Sequence, residues 1–168
     1  MDDRLLGIYL NDHLAGATAG LELARRVHGR NKDGKLGTEL GRIADEIEED
    51  RQSLVSIMQR LDVGTNVAKT SLAWMAERVG RLKLNGHLLS YSPLSRLEEL
   101  EALRLGVEGK LCLWQSLKDA RGSDPRLEGV DLDDLAGRAR TQRDELEAMR
   151  VASARTAFGT TRPHRARR

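Results

Sequence analysis

Apolar residues recur along this chain at three- and four-residue spacing over long stretches, the pattern of helices that bury one stripe. The clearest stripe lies in residues 36–62, through Leu40, Ile43, Ile47, Leu54, Ile57 and Leu61. It has one break. Asp50 takes the seam position between Ile47 and Leu54, with Glu46 and Glu49 beside it. A carboxylate in a bundle seam costs stability unless something pairs with it. Asp50 therefore predicts a partner on another helix.

Residues 3–29 predict an earlier helix with Leu6, Leu10, His13, Ala17, Gly20, Ala24 and Val27 on its seam. Its small-sided middle, Leu14 to Gly20, gives up helix propensity and suits close approach by another helix. The turn at 29–34 matches a calcium loop at Asn31, Asp33 and Gly34. Gly29 and Leu40 stand where that loop needs acids, so calcium binding is not expected.

Residues 66–83 predict a shorter helix carrying Leu72, Met75, Val79, Leu82 and Trp74, ended by the Asn85-Gly86 break. Ser92 followed by Pro93 is a helix start. It opens a long helix over 93–121, whose apolar face is Leu97, Leu100, Leu103, Val107, Leu111 and Trp114. Glu101, Arg104 and Glu108 form a column at the edge of that face. After a loop at 122–129, the acids of Asp131 to Asp134 start the last helix. Its seam is Leu132, Leu135, Ala139, Gln142, Leu146, Met149 and Ser153.

Four long helices, two short connections and one long connection at 63–92 predict an all-α four-helix bundle with a crossover between the second and third long helices. Residues 3–157 read as one bundle domain, and 158–168 as a basic, disordered tail. At about 1.5 Å per residue, Asp50 falls opposite residue 15, close to His13. Glu108 falls opposite residue 145, beside Gln142 and Glu145. The polar interruptions of all four seams are thus expected in one mid-bundle layer.

Charge sharpens this picture. The 168 residues carry 28 Lys and Arg against 26 acids, but four of those arginines lie in Thr161 to Arg168. Without that stretch the balance is 24 against 26, which lacks the clustered basic field of a nucleic-acid binder. Lys69, Arg78, Arg81 and Lys83 in the crossover read as a solvated face. Cys112 is the single cysteine, expected as a buried, inert thiol in a reducing compartment. The first residues lack a signal-peptide pattern, and no apolar run has the length of a membrane span, so a cytoplasmic protein with no membrane partner is expected. Nothing matches a nucleophile elbow, a phosphate loop or a dinucleotide fingerprint.

The long-helix and crossover pattern, with acids and a histidine at mid-height, resembles the ferritin-like superfamily over residues 3–157. The wording Tyr9 to Gly20 (YLNDHLAGATAG), Ser92 to Lys110 (SPLSRLEELEALRLGVEGK) and Arg143 to Arg150 (RDELEAMR) is similar to an uncharacterised, actinobacterial-looking branch of that fold, one without an assigned activity. The resemblance implies a di-metal pattern of one Glu from each of two helices and Glu-x-x-His from the other two. This chain departs from it: His13 replaces a Glu, Ala148 stands where a His would follow Glu145, and Glu-x-x-His occurs nowhere.

Three readings of the layer follow. It is a buried polar network of His13, Asp50, Glu101, Arg104, Glu108 and Gln142 that fixes register. Alternatively, His13, Glu46, Glu49, Asp50, Glu108 and Glu145 form a degenerate site for Fe, Mn or Zn, with iron-storage or oxidase-like chemistry. A third reading is an enclosed organic ligand. The first is the expectation: no cofactor, and a non-enzymatic binding or assembly module compatible with a homo-oligomer. No catalytic residue is assigned.

Overall fold

Each long stripe becomes one helix. In the computed structural model, which describes residues 2–65 and 91–159, α1 spans Asp3–Arg30, α2 Gly34–Arg60, α3 Pro93–Arg121 and α4 Leu132–Ala157. A 3-10 turn, Pro125–Leu127, lies between α3 and α4. The helix expected at 66–83 with Trp74, the basic residues of the crossover, His87, and residues 160–168 of the tail lie outside the described residues. Among the described residues there is no strand.

Local chemistry sets the helix starts. Asp2 accepts from the backbone N–H groups of Arg4 and Leu5. Ser92 Oγ accepts from Ser95 N–H at 3.1 Å, with Pro93 in the first turn. Asp131 accepts from Asp134 N–H at 2.9 Å. Each cap satisfies donors that the helix leaves open. The turn from α1 to α2 uses Gly34 at φ 69°. Three residues later, Gly37 leaves no room: a Cβ there would stand 2.3 Å from the Lys32 carbonyl oxygen and 2.4 Å from that of Asn31.

The core follows the seams. On α2, Leu40, Ile43, Ile47, Asp50, Leu54 and Ile57 are all buried, and Leu61 just beyond it is too. On α4 all seven seam residues are buried, joined by Ala136. The α3 face is buried as expected, with Leu113, Leu117 and Glu99 added. Trp114, 1% exposed, anchors it.

The α1 seam differs from expectation. Leu14 and Leu21 point inward, while His13, Ala17 and Gly20 lie at its edge. Leucine gains about 2 kcal/mol on burial, whereas an unpaired imidazole loses hydration there. The helix therefore settles with Leu14 inward. A Cβ on Gly20 would meet nothing within 4 Å, so Gly20 itself marks no close approach, whereas Ala15 of the same run is fully buried.

Contacts at the two ends fix the topology. Asn11 Nδ2 donates to Gly64 O at 3.0 Å, and Arg126 reaches both Leu61 O and Asp3. At the other end, Arg30 pairs with Glu99 and Asn31 with Tyr91. The α2 C-terminus thus lies at one end of the bundle and the α3 N-terminus at the other, and the two helices run parallel. α1 with α2, and α3 with α4, are antiparallel neighbours. α3 and α4 pack closely along their length, but the backbones of α2 and α4 approach at few points.

Candidate functional site: a buried ion-pair layer

Asp50 is 1% exposed at mid-length on α2. Its partners come from α3 and α4. Lys110 Nζ donates to Asp50 Oδ2 and also to Gln142 Oε1. Arg138 Nη2 donates to Asp50 Oδ1, and its Nη1 reaches Glu49 Oε2 at 2.9 Å. Gln142 Nε2 donates to Glu46 Oε2 at 2.8 Å and lies 3.4 Å from Asp50 Oδ2. Arg42 closes the rim, holding Glu46 and Glu145 together.

Burial lowers the pKa of Lys110 below the ordinary lysine value. The charge of Asp50 and its hydrogen bond oppose that fall, and Arg138 adds to it. The cations reach in from the flanks: the side chains of Lys110 and Arg138 are 12% and 26% exposed. Their aliphatic stems cover the seam while their charged heads meet Asp50.

Asp50 and Gln142 therefore meet as expected, with Glu46 and Glu49 beside them. His13 does not join them. It stacks edge-on against Tyr9, with ring centroids 4.5 Å apart, and its pKa is lowered by burial, with Asp12 opposing. The layer is built by three helices, because α1 turns Leu14 inward instead.

Arg104 also departs from expectation. It pairs with Glu147 at 2.9 Å rather than bridging Glu101 and Glu108. Those two acids reach Arg150 and Arg143, each at 3.6 Å. Antiparallel packing explains the change. Each step along the α3 column meets an opposite charge on α4, so the column is one side of a partly exposed ladder and not part of the buried layer.

Lys110 and Arg138 were not among the residues expected in the layer, although a signal was present. Lys110 lies three residues after Val107 and Arg138 three after Leu135, so each sits on its helix's buried side. Glu99, 5% exposed, is a second buried acid that the apolar pattern did not flag. Cys112 is exposed, contrary to expectation, because the inward positions around it belong to Leu111 and Leu113. His28 sits at a helix end and bonds Gly37 O at 3.0 Å.

A di-metal centre needs several carboxylates with free oxygens converging on one point. The residues present do not fit that need. Both oxygens of Asp50 are engaged, and both of Glu46. Arg138 holds Glu49, Arg42 holds Glu145 and Arg143 faces Glu108. Among the described residues, no group of three or more His, Cys, Asp or Glu stands together to hold a metal ion. Of the six residues expected as ligands, Glu46, Glu49, Asp50 and Glu145 are tied up by Arg42, Lys110, Arg138 and Gln142, Glu108 faces Arg143, and His13 stands apart against Tyr9.

No described helix is long and apolar enough to cross a membrane. Compared with models of known families, with curated proteins and with solved structures, the chain finds no match.

Proposed function

We propose that this protein is a non-enzymatic helical module of ferritin-like architecture, a binding or assembly protein whose buried polar layer locks helix register. One observation carries the reading: Asp50 accepts from Lys110 on α3 and from Arg138 and Gln142 on α4. A carboxylate so enclosed by donors presents no free face to a metal or substrate. It does discriminate sharply between registers, since sliding α2 by one turn would bury it against leucines. The parallel run of α2 and α3 supports the ferritin-like topology. Cytoplasmic residence belongs to the same proposal.

Elemental analysis of protein purified without chelators tests it. Substoichiometric Fe, Mn and Zn, unchanged in Asp50→Asn, is the expected outcome. Stoichiometric metal that Asp50→Asn abolishes would overturn the reading in favour of a metal-binding protein. Light scattering on the same preparation reads whether the module self-assembles.

A further inference from the structure

α1 is covered on a side that faces away from its described neighbours. α2 and α3 pack on it, and its inward side carries Leu10, Leu14, Leu21 and Ala24. Successive residues of an α-helix turn by about 100°. Ala15 therefore lies about 140° round the helix from Leu10, and Ala19 about 180°. Ala15 is nonetheless fully buried. From His13 to Leu21 no residue is exposed on any side of the helix. Beyond that stretch the same outer side opens: Leu5, Ile8 and Asp12 are exposed before it, and Arg30 after it.

One chain makes up the structure, so the cover is its own. Outside the described residues lie 66–90 and 160–168, besides Met1. The shorter stretch carries four arginines and offers little apolar surface. The longer one is fastened to α1 at both of its ends. Asn11 Nδ2 donates to Gly64 O at 3.0 Å, just before the covered stretch begins. Asn31 Nδ2 donates to Tyr91 Oη at 2.7 Å, past the point where it ends, and the Arg30 guanidinium lies 5.2 Å from the Tyr91 ring centroid. From Asn11 to Asn31 the helix rises about 30 Å, a span that the 25 residues of 66–90 cover even if wholly helical, at about 37 Å.

The chemistry matches as well. Residues 66–90 hold Leu72, Met75, Val79 and Leu82 at helical spacing. Ala15, Gly16 and Ala19 offer them a shallow floor, where larger side chains would hold a covering segment off. We infer that residues 66–90 lie along the outer face of α1, seated over Ala15 and Ala19. This seat stands independently of the Asp50 layer and of the function proposed above.

Thiol labelling of the full chain tests it, in a Cys112→Ser background. Ala15→Cys places a thiol in the seat, and Ser153→Cys places one in the α4 seam as a control; both positions are buried. A fluorescent maleimide is expected to label each slowly. Adding Leu72→Asp with Met75→Asp is expected to speed labelling at position 15 at least about tenfold while position 153 stays slow, the mark of local opening without unfolding. Should the two aspartates prevent folding, the single Leu72→Ala reads the same contrast, with a rise of about threefold at position 15. In whichever variant keeps its native circular dichroism, three results overturn the inference. They are labelling at position 15 left unchanged, labelling raised equally at 153, or labelling at 15 raised instead by deleting 160–168.

Discussion

Replacing Asp50 with alanine removes the acceptor on which three side chains converge. Lys110 would keep only the amide oxygen of Gln142, in a position where its side chain is 12% exposed. Arg138 would keep Glu49 and, at 26% exposed, could turn toward water. Removing one member of a buried pair costs about 3–5 kcal/mol. The escape open to Arg138 places the expected loss at the lower end, about 3 kcal/mol. A chain of this size loses about 2–4 °C of Tm per kcal/mol, so Tm should fall by roughly 6–12 °C. Urea unfolding followed by circular dichroism reads the change as a lower midpoint at constant m. The companion variant Asp50→Leu, Lys110→Met, Arg138→Leu, Gln142→Leu removes the charges together with the buried amide that Lys110 holds. It is expected within about 1 kcal/mol of wild type, or above it, because no charge is left buried alone. If Asp50→Ala unfolds within about 0.5 kcal/mol of wild type, the carboxylate is not enclosed as described and the reasoning fails.

Two further outcomes follow from single residues. Burial lowers the pKa of His13 from 6.5, so the unfolded chain takes up that proton first as pH falls. The resulting stability is present above pH 6.5 and is lost as pH drops from there through the folded pKa. An NMR titration of the imidazole should show a midpoint below 6.5, and His13→Gln should flatten this acid limb; a midpoint at or above 6.5 contradicts the burial. Gly37→Ala would drive a Cβ to 2.3 Å from a backbone oxygen. It should cost more than about 3 kcal/mol or prevent folding, and a thermal melt within 2 °C of wild type would refute the tight turn.

Much of the fold was legible because its seams are long and regular. The α4 seam, from Leu132 to Ser153, was read residue for residue, including Gln142. Asp50 stood out because a carboxylate interrupts an otherwise apolar repeat. Its partners did not, for a physical reason. Lysine and arginine reach a seam from its flanks on long apolar stems, so Lys110 and Arg138 look like surface charges in a one-dimensional pattern. His13 misleads for the opposite reason: it lies three residues after Leu10, a spacing that fits a seam, but the four-residue step brings Leu14 inward and leaves the adjacent histidine at the edge. The Glu101, Arg104 and Glu108 column was located correctly on α3, but its partners depend on the α4 register, which spacing along one helix does not contain.

The contrast between the two α4 interfaces has a mechanical consequence. Close apolar packing makes α3 and α4 a stiff pair, since displacement there opens voids at once. α2 instead meets α4 through extended side chains, several bonds long, that can re-aim as the backbones shift. The α2–α4 side is therefore the compliant axis of the bundle, along which it breathes most readily. Asp50 acts on that axis as a detent, allowing small excursions while holding one rest position.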